Sequence, residues 1–583
     1  SVFASLLDAD ESAEPAERAQ RAVGALPETL RPLAPLLDLV LGIELPDSEQ
    51  SKALQGERRT LSRRRLLLRV LAEAASEPLL IGIDDGHWLD SASWALMQEL
   101  AGQELPICIL LATRPGAGLA PEFDELLTEP TTQRISLAPL DPGESVAIAR
   151  ERLAVTDLPQ PVAELITEKA GGNPLFTEEL AYALRDTGMI EIDSGRCGIA
   201  AGHDLATLAL PDTIEGIIGS RIDRLEPQPE LVLKIASAVG LTFAPEVIHD
   251  VYPLREERGQ IDYSLDTLVR RDLTVRVPPQ PSVAYSFRHP LTREVAYNRM
   301  LFSQRRELHR ELAGWFETRF ADHLDPVFAT LAHHWSRAGD ADKGCHYLEL
   351  ASQQALNNGL SREAANLGLR AAELLGERLP REPESVRAMI AQTMGSIAEL
   401  MSGRGVQSIA DLPPAADPGK ASAIEALLRV GPALFVSQQP ELFVLVGLRN
   451  FLLTLEYGTT PSTPGVVAIY AMILRALDAD ARQAFELASL AEQLAERDSP
   501  ALRAYAGFVN HWFVKHWSEP IGPDLDRMRE NAVHGFRHGD VMFGCFNSAG
   551  HVVQLEASGA ALADVIIAGT AATEEIAGRV RSA

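Results

Sequence analysis

The sequence is short of several things, and each shortage removes a class of explanation. No run approaches the ~20 uninterrupted apolar residues that a membrane span needs, and the opening SVFASLLDADESAEPAERAQ has no basic stretch leading into an apolar core. No membrane partner and no export signal are expected, so the expected location is cytoplasmic. Cysteine is scarce: Cys108, Cys197, Cys345 and Cys545 lie far apart with no CxxC or Cys/His ligand spacing, as suits a reducing compartment without structural zinc. Positive charge is outnumbered, 53 Lys and Arg against 81 Asp and Glu, for a formal net charge of −28. A surface this acidic repels polyanions, so no direct nucleic-acid contact is expected in this segment. G-x-S-x-G, HExxH and protein-kinase loops are all missing. Missing too is G-x-x-x-x-G-K-[ST], the loop whose backbone N–H groups cradle phosphates; PAADPGKA at Pro414–Ala421 lacks its first glycine and its hydroxyl.

At 583 residues, 46% apolar and 23% charged, the chain is long enough for several globular domains. The first 130 residues alternate helix-like and β-rich runs: a helix over Glu57–Ala75, a strand over Pro78–Ile83, a helix over Ser91–Gly102 and a strand over Pro106–Ala112. Such continuous apolar runs suit parallel strands covered on both faces. Lys52, Arg58, Arg59, Arg63, Arg64, Arg65 and Arg69 surround an apolar stripe on the first of these helices and read as a solvated basic face. Residues 141–226 become helical, a small lid-like domain. Residues 227–301 combine helices with two β-like runs, Thr274–Val277 and Val283–Phe287, as in a winged helix. After Leu301 the pattern is helical throughout, and helix starts near Pro464, Pro500 and Asp540 lie 36 and 40 residues apart, a solenoid-like period. Residues 302–402 and 420–583 are therefore expected to form tetratricopeptide-like helical repeats, joined by a linker over Gly403–Gly419. Trp512 and Trp517, with His511 and His516, are expected on one helix, packing without a metal.

The chemistry is concentrated in LLIGIDDGHWLD, Leu79–Asp90, where a buried strand ends in Asp84 and Asp85. At the C-terminal edge of a parallel sheet paired acids can hold Mg²⁺ and orient a water against a phosphate, the Walker B arrangement, although a solvated acidic turn has the same residue types.

With its neighbours the run becomes specific. PLLIGIDDGHWLDSASWALMQEL followed by PICILLATRPG resembles the ATPase core of the STAND class of signal-transducing, AAA-related P-loop NTPases, whose acid pair is followed by His-Trp and a further Asp, here His87, Trp88 and Asp90. The resemblance implies ATP or ADP and Mg²⁺ as ligands, with Asp84 on the metal and Asp85 as the catalytic acid beside the attacking water. It makes Thr113 and Arg114 the sensor at the end of the next strand. AGGNPLFTEEL resembles the motif at which the class brings a turn against adenine, which assigns Gly172 and Pro174 to the nucleotide, although a helix C-cap and a Pro start account for the same residue types. LPDTIEGIIGSRIDRL and YSFRHPLTREVAYNRML continue the likeness and place His289 where winged-helix histidines sense nucleotide, with a packed surface histidine as the alternative. The helical half is similar to the arms of bacterial regulators that join this ATPase to a cyclase, a kinase or a LuxR-type reader.

The implied fold is multidomain and mainly α: a truncated α/β P-loop NTPase core over 1–140, a helical lid, a winged helix and a TPR-like α-solenoid. The implied function is a regulatory ATP-binding module that couples nucleotide state to the helical arm and, through it, to an effector domain of the same polypeptide or to a protein partner. Two other readings stand beside it: a degenerate ATPase that serves as a scaffold, and an ATP-dependent LuxR-type regulator whose DNA-binding domain lies outside these residues. A strand, a G-x-x-x-x-G-K-[ST] loop and a helix are expected in the parent gene within roughly 30 to 100 residues upstream of Ser1.

Overall fold

The computed structural model of the chain describes residues 2–9, 15–43, 45–52, 54, 56–114, 121–200, 211–277, 283–477 and 480–580. Pro115 and Gly116 of the sensor motif, Leu210, and residues 278–282 lie outside the described residues. The chain is mainly helical, and no described helix is long and apolar enough to cross a membrane.

The N-terminal part is built on two parallel strands, β1 (Leu79–Ile83) and β2 (Ile107–Leu111), with Leu79 opposite Ile107 and Ile83 opposite Leu111. The helix Ser91–Ala101 makes the crossover; it starts where Asp90 accepts a hydrogen bond from Ser93 N at 2.7 Å. One face of the strand pair packs Ile81 against Leu68 and Leu71 of the helix Gly56–Ala74 and against Leu100. Among the described residues nothing covers the other face. Leu80 is 67% exposed and Leu110 61%, with Cys108 exposed between them. Strands expected to be covered on both faces are thus covered on one. The basic cluster also departs from a solvated face: Arg63 is buried and donates to Leu36 O at 2.7 Å, while Arg59 pairs with Asp38 and Asp47 at 3.2 and 3.4 Å. These guanidiniums pin the preceding segment, whose leucines form a core of their own with Leu66 and Val70.

The next unit packs the helices Pro142–Leu153, Gln160–Ala170, Pro174–Asp186 and Ile214–Ile222 around Ile166, Leu180 and Ile217. It also holds a hairpin the helical pattern concealed, β3 (Ile190–Asp193) and β4 (Arg196–Ile199), closed by Ser194 and Gly195. Both turn residues have positive φ, 47° and 76°, which suits a two-residue turn between twisted strands.

The third unit sets the helices Pro227–Val239, Pro245–Val251 and Ile261–Arg270 against a small antiparallel sheet of β5 (Thr242–Phe243), β6 (Thr274–Val277) and β7 (Ala284–Phe287), in the order β5-β7-β6. A buried ion network joins it to the second unit. Arg221 reaches Glu179 at 2.5 Å and Asp186 at 3.1 Å, Asp186 meets Arg271 at 3.5 Å, and Arg185 meets Asp272 at 3.1 Å. Arg221 and Arg185 lie over the ring of Tyr182, each 4.9 Å from its centre.

From Phe302 onward most helices pack on the next in sequence, but Pro383–Met401 packs on Pro440–Tyr457 and Ser361–Leu374 on Pro418–Val436, and one apolar core runs from Ala355 to Phe543. Gly403–Gly419 is no loose linker: Val406 and Ile409 are buried in a short 3₁₀ turn, and Pro414 bridges to Thr459. The stretch expected to hold both tryptophans on one helix is also broken. The helix Arg503–Val509 passes into a π-turn over Asn510–Val514 and a 3₁₀ turn over Lys515–Trp517, which leaves Trp517 exposed. The arm touches the N-terminal part: Thr60 donates to Asn358 O at 3.1 Å, and Arg362 pairs with Glu122 at 3.4 Å.

Candidate functional site

Asp84 and Asp85 leave β1 at its C-terminal end, where the backbone must turn sharply. Asp85 takes a left-handed conformation, φ 52° and ψ 44°, which is costly for a residue with a Cβ, and Asp84 steadies it by accepting its N–H at 3.0 Å. Gly86 N then donates to Ala112 O at 2.7 Å. A Cβ on Gly86 would meet Leu111 Cδ1, so a larger residue here would need the tip of Leu111 to move aside. The result sets the acid pair beside the end of β2.

Arg114 stands there, its Nε 4.0 Å from Oδ1 of Asp85, and His87 Nε2 lies 3.7 Å from the same oxygen. Two polar atoms near this point are buried without a hydrogen-bond partner, Thr113 Oγ1 and His87 Nδ1. Buried polar atoms are nearly always paired, so a ligand supplying an acceptor and a donor would suit them. Asp84 is exposed and Asp85 half-buried, and Trp88 presents its ring to solvent.

His289 reaches the same neighbourhood from the third unit. It caps the helix Pro290–Asn298, its Nδ1 accepting from Leu291 N at 3.1 Å, which leaves Nε2 as its proton-bearing nitrogen. Burial and then the positive charge of Arg114 hold its pKa below the usual imidazole range, against Glu178 and Asp85, which act to raise it. Glu178 is itself paired with Arg152 at 3.0 Å. Residues far apart in sequence thus share one field.

Gly172 and Pro174 are accounted for locally. Gly172 has φ 79°, and a Cβ there would lie 2.5 Å from Leu140 O; its own carbonyl accepts from Leu140 N at 2.8 Å. The glycine is needed where residues 139–140 cross this turn. Pro174 begins a helix capped by Asn173, which accepts from Phe176 N at 3.0 Å. Sequence reasoning singled out neither Glu178 nor Arg152, since a Glu in a helical Thr-Glu-Glu run carries no local mark of what faces it.

The acid pair and the two orphaned polar atoms fit one side of a metal–phosphate group. The sequence holds no phosphate-cradling loop to face them.

Residues 142–198 match a family described only as a domain of unknown function, DUF8739. An uncharacterised protein of Rhizobium meliloti is 26% identical over 369 residues, covering 60% of this chain and 33% of its own length. Mouse adenylate cyclase type 10 is 21% identical over 276 residues, covering 41% of this chain and 17% of the cyclase. The chain thus spans a third or less of these relatives. A crystal structure of a STAND protein with a tetratricopeptide repeat sensor from Pyrococcus horikoshii aligns with 92% of this chain and 74% of its own, at a TM-score of 0.36 and 12% identity.

Proposed function

We propose that the chain is the regulatory ATPase module of a multidomain signalling protein. The observation that carries this reading is Arg114 facing Asp85 at the end of a parallel strand pair, with both charges felt at His289. In it, Asp84 holds Mg²⁺ and Asp85 orients water toward the terminal phosphate of ATP. Arg114 and Thr113 hold that phosphate, with the planar guanidinium suited to a bidentate grip. His289 offers an N–H to the same end of the nucleotide, and the turn at Gly172 and Pro174 forms the adenine side. The bare face of β1 and β2 supports the view that the core is completed by chain outside these residues, which would bring the phosphate-cradling loop.

Nucleotide state would set how firmly the unit carrying His289 sits against the acid pair, a discrete packing choice of the kind that phosphate contacts bias. The contacts of Thr60 with Asn358 and of Glu122 with Arg362 offer a route by which that choice reaches the helical arm. The arm would pass it to an effector, and the likeness to adenylate cyclase type 10 favours a nucleotide cyclase on the same polypeptide. The test is equilibrium binding of Mg-ATP to the parent protein and to its Arg114→Ala and His289→Ala variants. Affinity should fall about 10-fold or more in each, as expected for loss of a charge-assisted phosphate contact. Absence of Mg-ATP binding by the parent would leave the scaffold reading in its place, and unchanged affinity in both variants would place the nucleotide away from Arg114 and His289.

A further inference from the structure

Where the third unit meets the first repeat, three imidazoles converge. His309 lies on the helix Phe302–Arg319, and His333 and His334 on the helix Phe328–Ala338. His309 Nδ1 and His334 Nδ1 face each other at 2.8 Å. The ring centres are 5.1 Å apart for His309 and His334, 5.6 Å for His309 and His333, and 5.3 Å for His333 and His334. One nitrogen from each ring lies within 4.8 Å of the other two.

The geometry points to a site for a borderline transition-metal ion, Zn²⁺ by preference, held by His309, His333 and His334. Two facing Nδ1 atoms have one lone pair too many unless a shared proton or a cation lies between them. The remaining nitrogen of His309, Nε2, lies 2.9 Å from the hydroxyl of Tyr297 on the helix Pro290–Asn298. A hydrogen bond to the far nitrogen is how metal-binding histidines are commonly oriented. His309 and His334 are both buried, and neutral imidazole is the form that binds metal.

The donor set also selects the ion. All three ligands are imidazole nitrogens, which suit Zn²⁺ and its neighbours rather than Mg²⁺ or Ca²⁺. Tetrahedral Zn–N bonds place ligand nitrogens roughly 3.3 Å apart. The buried pair need only part slightly, and His333, the solvent-facing member, closes by a side-chain rotation. Arg305 and Arg337 act on His309, and Arg293, Arg337 and Arg370 on His333. These positive charges weaken cation affinity and suit water or an anion as fourth ligand on the open side. An ion bound there would staple the first two repeat helices beside Tyr297. The site is independent of the nucleotide reading.

The test is titration of the 583-residue chain with Zn²⁺ by calorimetry and with Co²⁺ by visible absorption. It is done in a His538→Ala background, because His534 and His538 stack one helical turn apart and would chelate metal on their own. One equivalent of Zn²⁺ should bind, and Co²⁺ should give the strong visible bands of a four-coordinate site. His333→Ala leaves the buried pair in place; it should fold as the parent does in chelator, yet bind Zn²⁺ at least 10-fold more weakly and lose the cobalt bands. His309→Gln should lose both as well. Absence of stoichiometric binding, or binding that His333→Ala and His309→Gln leave unchanged, would overturn the assignment.

Discussion

Arg114 Nε stands 4.0 Å from Oδ1 of Asp85, across the gap between the ends of two parallel strands. The partners differ in freedom. Asp85 is fixed by a left-handed backbone and half-buried, while the Arg114 side chain is 61% exposed. A loosely held pair of this kind adds little stability, so Arg114→Ala should leave thermal unfolding of the chain unchanged within a degree or two. A large drop, read by calorimetry, would make the pair structural and free it from the nucleotide reading.

The glycine pair at 171 and 172 separates conformational strain from contact. Gly171→Ala meets nothing within 4 Å and suffers only from its φ of 55°, whereas Gly172→Ala adds a clash with Leu140 to a φ of 79°. The first should cost about 1 kcal/mol and the second distinctly more. Hydrogen–deuterium exchange over residues 139–176 is the readout, with faster exchange in Gly172→Ala. Equal effects would mean that the crossing segment yields freely.

Arg221 lies at the centre of the buried network, beside Glu179 and Asp186. Removing it leaves the buried Glu179 without its cation, while Asp186 keeps Arg185 and Arg271, and breaking the buried pair costs about 3–5 kcal/mol. Arg221→Ala should therefore loosen the helix Pro174–Asp186 and shift His289 away from Asp85. Proteolysis between the second and third units should accelerate in the variant; wild-type resistance would contradict it.

His511 is fully buried, with Nε2 2.7 Å from Glu492 and Nδ1 3.0 Å from Asp524, and Lys515 lies 3.7 Å from Asp524. Burial pulls its pKa down, but the carboxylates of Asp524 and Glu492 set against its two ring nitrogens outweigh that and leave it raised. A histidine whose folded pKa exceeds its unfolded value stabilises fully below the unfolded value, near 6.5, and loses that contribution as pH rises through the folded one. Melting temperature should thus decline above about pH 6.5 more steeply in the wild type than in His511→Gln. Parallel pH profiles would refute the assignment. The π-turn that brings His511 between two carboxylates is where the one-helix expectation failed: helical periodicity cannot register a single extra residue in a turn.

What the sequence made legible followed from local rules. The strand pair, the acid turn and the helix start at Pro174 were readable because apolar runs, cap residues and prolines act over a few positions. The partners were not. Arg63 bonding to Leu36 O, His309 facing His334 across 25 residues, and His289 sharing a field with Arg114 all depend on tertiary packing that no spacing records. The 403–419 stretch misled because proline and glycine mark turns as well as linkers, and here the turn is packed.

The exposed Leu80 and Leu110 face makes a prediction of its own. If that face is completed by chain outside these residues, Leu80→Thr with Leu110→Thr should reduce self-association of the isolated chain with little loss of stability. Light scattering during concentration is the check. Destabilisation of the isolated chain by the same pair would mean that the face is already covered.

The central claim is that Asp84 and Asp85 serve a nucleotide site, and ATP turnover by the parent protein tests it most directly. Mg-dependent hydrolysis measured for the wild type and for Asp85→Asn should fall about 100-fold or more in the variant with the fold unchanged, as loss of a water-orienting acid predicts. The isolated 583 residues, which lack G-x-x-x-x-G-K-[ST], should show no turnover above background. Turnover that survives Asp85→Asn, or none in a parent protein that carries the loop, would contradict the account.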